Sequence, residues 1–143
     1  MSQEQSHNYG ALVTRLAFGG MLVSHGLLKL MVFTMPGTVA FFESQGFPAA
    51  TAYLTVFGEI AGGTAILLGL YTRLASLLSI PILLGATFVH AGNGWVFSNI
   101  GGGWEYPVFL AVIAVSVSLQ GSGPFAIRKL PIIDAIIPNI LKA

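Results

Sequence analysis

The sequence predicts an all-α fold, an integral membrane four-helix transmembrane bundle with interfacial helical segments, as a single domain over residues 1–143. Three observations carry that expectation. Only 8% of residues are charged, against roughly 25% in a soluble domain. The apolar share is 55% and the mean hydropathy is +0.82. Apolar stretches close to the roughly 20 residues that cross a bilayer recur along the chain, separated by Gly- and Pro-marked joints.

The first span runs from about Gly10 to Phe33. It reads as retained rather than cleaved, because no basic run precedes it, no small-residue cleavage site follows it, and Arg15, His25 and Lys29 lie inside it. Met35-Pro36-Gly37 is expected to end it. In the first outer loop, Thr38 would cap a short helix from Val39 to Gln45, stopped by Gly46 and Pro48. Its Val39, Phe41 and Phe42, with Phe47 after it, suit a segment at the membrane interface.

The second span covers about Ala52 to Leu70, and the third about Arg73 to His90. Gly69-Leu70-Tyr71-Thr72 turns one into the other. The second outer loop, Ala91 to Trp104, is rich in Gly and carries Trp95 and Trp104, residues that anchor at interfaces. The fourth span, Glu105 to Gln120, is short; it thins the bilayer or ends within protein. Gly121-Ser122-Gly123-Pro124 stops it. In the tail, 125–143, apolar pairs at Ile132/Ile133, Ile136/Ile137 and Ile140/Leu141 fall on one helical stripe, and an interfacial helix flanked by Arg128, Lys129 and Lys142 is expected, with Pro138 interrupting it.

Charge placement sets the orientation. Arg73, Arg128, Lys129 and Lys142 share one side, with Arg15 near it, while the two outer loops carry Glu43 and Glu105 but no Lys or Arg. Both termini are therefore expected in the cytoplasm. Arg15 and Arg73 read as anchors that snorkel to headgroups. With no Cys, disulfides, thiol relays, thiolate zinc sites and cysteine-ligated iron–sulfur clusters are excluded. Six basic residues against five acidic ones give no basic face for nucleic acid.

Ionisable groups at membrane depth are costly, so they face the bundle interior and are functional suspects. His25 lies about 12 Å below the outer end of the first span and Glu59 about 10 Å below the same end of the second, at 1.5 Å per residue. Lys29 is one turn above His25 on the same face. Gly26, Gly58, Gly62 and Gly63 would let the two helices approach, the first on one helix and the G-x-x-x-G pair Gly58/Gly62 with Gly63 on the other. A cluster of His25, Lys29 and Glu59 follows, read equally well as a structural ion pair or as a functional pocket. His90, Trp104, Glu105 and Tyr106 form a second candidate ligand set at the outer rim, although Glu105 before Pro107 also suits a helix start. The depths of the histidines do not match as haem ligands, and no closely spaced ligand set exists for a metal, so neither a metal nor a covalently bound cofactor is expected.

His25-Gly26-Leu27-Leu28-Lys29, Phe42 to Pro48, Glu59-Ile60-Ala61-Gly62-Gly63, Gly69-Leu70-Tyr71-Thr72-Arg73 and Gly101-Gly102-Gly103-Trp104-Glu105-Tyr106-Pro107 follow one another in an order that resembles the DoxX family of small bacterial membrane proteins. The likeness runs from about Arg15 to Gly123. It implies an inner-membrane protein associated with respiratory or oxidative-stress redox complexes, as a subunit of quinone-linked sulfur-oxidising enzymes or a membrane partner of thiol- and superoxide-handling enzymes. It also places His25, Lys29, Glu59, Glu105 and Tyr106 at the family's polar motif positions. Pro124-Phe125-Ala126-Ile127-Arg128 departs from the family pattern, which has a Ser and an Asp there.

Three functions remain open on the sequence. The first is a redox-complex subunit, accessory to a quinone-linked oxidoreductase, that holds a quinone near His25, Lys29 and Glu59. Its partners would be the bilayer, a soluble or membrane redox protein, and a second copy of the chain. The alternative is a non-enzymatic scaffold whose polar cluster is structural. A proton or small-molecule conductor is weaker, because no polar stripe continues past Glu59.

Overall fold

The structure, a computed structural model, describes residues 1–128, 130 and 134–142. Among these residues every regular element is helical. Helix α1 (Gln3–Val32) starts earlier than the hydropathy pattern indicates. Ser2 and Gln5 form a capping box, the Ser2 hydroxyl accepting from Gln5 N–H at 3.1 Å and the Gln5 side chain from Ser2 N–H at 2.9 Å, which satisfies N–H groups that a helix start leaves open. The helix finishes in a wide π-type turn, Leu28–Val32.

Helix α2 (Met35–Ser44) corrects two expectations. Met35-Pro36-Gly37 opens it, since proline's missing N–H is harmless in a first turn. Its cap is Thr34, which accepts from Gly37 N–H at 3.4 Å. Thr38 is instead buried, and its hydroxyl donates to Lys29 O at 3.0 Å.

Helix α3 (Ala49–Leu68) contains a second wide turn, Gly58–Gly62. Gly69 ends it with φ +68°, the left-handed conformation that glycine takes without a Cβ clash. Helix α4 (Thr72–His90) has Pro81 in its interior and continues into one 3-10 turn, Ala91–Asn93. Helix α5 (Glu105–Gln120) closes the set.

By length and composition α1, α3 and α4 can cross a membrane. The 16 residues of α5 rise about 24 Å, less than a hydrocarbon core of about 30 Å. The four helices pack in a ring, α1 on α3, α3 on α4, α4 on α5 and α5 back on α1. Phe18, Leu22, Ile66, Leu83, Leu110, Ala114 and Val117 fill its centre.

The α1–α3 seam rests on Gly19 and Gly63. A Cβ on either would stand 2.9 Å from the other's carbonyl oxygen. Gly26 brings α1 against Glu59 and Ile60, where a Cβ would lie 3.1 Å from Glu59 Cβ. Gly62 is a correction: a Cβ there meets nothing within 4 Å, and one on Gly58 meets Ile82 of α4 at 2.6 Å. The Gly58/Gly62 pair thus does not form the α1–α3 seam. The wide turn runs through both residues and shifts the register that the G-x-x-x-G spacing assumes.

Arg15 does not snorkel. It is 1% exposed, and its guanidinium donates through Nη1 to Ser122 O at 2.6 Å and through Nη2 to Phe125 O at 3.2 Å. Carbonyls near the end of α5 supply partial negative charge without a headgroup. Arg73 is half-buried and donates to Ile140 O at 3.4 Å.

Where it is described, the tail is not an interfacial helix. Its one helical turn is Asn139–Leu141, and the expected stripe residues Ile132 and Ile133, with Lys129, lie outside the described residues. The segment instead crosses the α3–α4 turn. Ile127 N–H donates to Leu68 O, Arg128 N–H to Gly69 O, and Tyr71 N–H to Arg128 O. The Tyr71 hydroxyl donates to Leu130 O at 3.1 Å and accepts from Leu130 N–H at 3.0 Å. Lys142 pairs with Asp134 at 3.1 Å. Pro138 supplies no N–H to carry a helix through this stretch.

Candidate functional site

Each of the two wide turns carries one charged residue of the site, Lys29 on α1 and Glu59 on α3. Single π-type turns inside helices recur at functional positions. Lys29 Nζ donates to both carboxylate oxygens of Glu59, at 2.8 and 2.9 Å. Glu59 is buried, and the Lys29 side chain retains 20% of its exposure. Gly26, one turn before Lys29, leaves the room for this approach.

His25 does not hydrogen-bond Glu59. Its Nδ1 lies 2.9 Å from Met21 O. A carbonyl only accepts, so Nδ1 donates to it, and Nε2 is the ring nitrogen left without a partner on the backbone. The imidazole stacks on Tyr106 of α5, centroids 5.8 Å apart and planes 28° from parallel. His90 repeats the pattern, with Nδ1 at 3.0 Å from Gly101 O and 3.1 Å from Gly102 O.

These groups border a cavity of about 410 Å³, within the range of small-molecule sites. Leu22 of α1, Thr51, Leu54 and Thr55 of α3, Pro81 and Gly85 of α4, and Leu110 of α5 form its walls. Phe41, Phe42 and Phe47, on α2 and just after it, roof it. Of the residues singled out from the sequence, His25, Lys29, Glu59, His90 and Tyr106 line this cavity.

Trp104 and Glu105 do not line it. Trp104 meets Trp95 edge to face at 4.5 Å, and Glu105 Oε1 accepts from Phe97 N–H at 2.8 Å. Both brace the 91–104 loop. Glu105 borders a second, more open hollow with Trp95, Phe97 and Tyr106.

The chamber is thus apolar, with a polar end of no net charge. The ion pair cancels itself, and the two imidazoles and the Tyr106 hydroxyl supply hydrogen-bonding groups. Such a lining suits a neutral ligand bearing hydroxyl or carbonyl groups. Sequence reasoning passed over the α4 wall, yet Pro81 and Gly85, four residues apart in an apolar run, were a visible signal for an irregular helical face. It treated Phe42 and Phe47 only as interfacial residues. Nothing local announces the wide turns.

A model of the DoxX family matches residues 10–92, the stretch that holds His25, Lys29, Glu59 and His90. The Bacillus subtilis (strain 168) protein named "Putative oxidoreductase CatD" is 30% identical over 118 residues, covering 82% of this chain and 84% of that protein. "Inner membrane protein YqjF" of Escherichia coli (strain K12) is 26% identical over 126 residues, 85% of this chain and 91% of its own length. No solved structure matches the chain significantly.

Proposed function

The chain belongs to the DoxX family of membrane proteins, and from that premise we propose that it is a bacterial inner-membrane subunit of a redox complex, holding a quinone-like molecule in the chamber between its helices. The carrying observation is the chamber itself, an apolar cavity of about 410 Å³ whose polar lining is the Lys29–Glu59 pair with His25 and Tyr106, and His90 where α4 ends. A quinone accepts two electrons and two protons to become a quinol. Tyr106 would donate a hydrogen bond to a ring oxygen and His25 and His90 would hydrogen-bond the oxygens of either form, while the two protons of the reduction would come from solvent. Without cysteine the electrons come from a partner protein. The names of the two relatives agree with an oxidoreductase setting and an inner membrane.

In this reading α5 is the fourth crossing, and both termini are cytoplasmic because Lys and Arg gather at that end. A reporter fused at residue 143 reads cytoplasmic and one at Gly46 periplasmic. A second reading is a scaffold whose polar cluster fixes helix packing. The observation in its favour is the ion pair, in which each carboxylate oxygen already has its donor.

Mass spectrometry of lipophilic extracts separates the two. Purified wild-type protein is expected to carry a quinone-class molecule, and a folded Glu59→Gln, Lys29→Met double variant to lose it. Equal amounts in both proteins would leave the pair a structural strut.

A further inference from the structure

We propose that the chamber is entered sideways from the lipid, through the gap between α3 and α4 at Gly85, and that its ligand carries an apolar tail lying in that gap. The proposal rests on the chamber reading above and adds to it the route and the shape of the ligand.

The gap follows from how the two helices diverge. Helix α4 packs on α3 along the wide turn Gly58–Gly62 and the segment Gly63–Leu68, while Ala49–Phe57 stands off it. On the α4 side of this opening, Gly85 borders the cavity, and a Cβ there would meet nothing within 4 Å. Pro81 borders it one turn earlier on the same face and withholds the N–H that would regularise the helix. On the α3 side, Leu54 also borders the cavity and is 66% exposed. The cavity therefore reaches the molecular surface between two apolar helices, on a face that lipid covers.

Toward water the chamber is roofed. Phe42 packs on Phe47 at 6.2 Å, and Phe47 on Phe88 of α4 at 6.1 Å, edge to face. A molecule arriving from the aqueous side meets three rings, and one arriving from the bilayer meets the space at Gly85.

The polar end selects the head. Lys29 and Glu59 cancel, so a phosphate headgroup finds no surplus cation in the chamber. A neutral ring with carbonyl or hydroxyl groups finds the two imidazoles and Tyr106. The occupant is a neutral, ring-headed amphiphile of the isoprenoid quinone class, with its tail passing between Leu54 and Gly85.

Gly85 gives the test, because a Cβ there meets nothing within 4 Å and a larger side chain starts out into the proposed gap. Binding of a tail-less dimethoxybenzoquinone and of its decyl-tailed analogue is measured on the full chain in phosphatidylcholine nanodiscs. Wild type is expected to bind both. Gly85→Phe is expected to weaken the tailed ligand by about tenfold or more, the size of an overpacking penalty, and the tail-less one by no more than about twofold. Gly85→Leu, a smaller plug, shows the same ordering and serves where the phenylalanine variant fails to fold. Equal effects on both ligands, or none on either, overturn the side entrance and leave the chamber reading intact. Phosphatidic acid competing as well as the tailed quinone overturns the neutral head. Failure of wild type to bind either quinone sinks both the entrance and the chamber reading.

Discussion

At one end of the bundle Arg15 is buried without a carboxylate partner among the described residues, its charge met by Ser122 O and Phe125 O. At the other end Lys29 meets the carboxylate of Glu59 beside a cavity. The Arg15 end is closed: the α3–α4 turn, the end of α5 and the first tail residues interlock through backbone hydrogen bonds. The Lys29 end is held open by two interrupted helices and by a stretch of α3 that stands away from α4. Burial of charge alone therefore does not mark a binding site. What distinguishes the two ends is the space beside the charge and the donors and acceptors left facing it.

Breaking the ion pair is expected to have the largest effect. Glu59→Gln leaves Lys29 in the interior without its counter-charge, a loss of about 3–5 kcal/mol, read as a fall in thermal unfolding temperature in detergent. Adding Lys29→Met is expected to recover much of it, because neither partner is then left unmatched. Strict additivity of the two single variants would mean that the pair contributes nothing as a pair.

The closed end sharpens the contrast. Arg15→Met strips two carbonyls of charged donors, a loss of about 1.5–3 kcal/mol in all because the Phe125 bond is long at 3.2 Å and part-buried, and is expected to loosen the tail. Protease nicking after Phe125 measures this. Arg15→Lys is expected to rescue it incompletely, since an ammonium lacks the planar fork that reaches both oxygens. The quinone binding proposed for the other end should be unchanged by either variant; a parallel loss there would mean that the two ends are one unit.

The smallest expected difference comes from two adjacent glycines. Gly63→Leu drives a side chain into Gly19 O and Leu22 and is expected to cost about 1–3 kcal/mol or more. Gly62→Leu points into open space and should stay within about 0.5 kcal/mol of wild type. Folded yield by fluorescence-detected size exclusion reads both. Equal losses would place Gly62 in the seam after all.

These contrasts also measure what the sequence disclosed. Composition and span length were enough for the helical membrane class, and α4 and α5 lie where the turn residues put them because Gly69 and Gly121 are unambiguous stops. The depth estimate grouped His25, Lys29 and Glu59, all of which border the cavity, because rise per residue is insensitive to side-chain detail. Of the outer-rim set only His90 and Tyr106 border it, while Trp104 and Glu105 do not. Contacts that depend on register were beyond it. The wide turns at Leu28–Val32 and Gly58–Gly62 shift every later residue around the helix axis, which is why Gly63 rather than Gly62 meets α1. Arg15 was misread because its partners are backbone carbonyls over a hundred positions away, and backbone carbonyls leave no mark in a sequence.

That separation has a meaning in time. Ser122 and Phe125 follow Arg15 by 107 and 110 residues, so a ribosome adding about 5–20 residues per second needs roughly 5–20 s to deliver the acceptors after Arg15 itself has been made. Through that interval the first helix carries a guanidinium that the folded protein hides, with only water or lipid headgroups to solvate it. The Arg15 end therefore closes only after α5 has been made, and its lock is a late addition to a bundle whose first helix is long since synthesised.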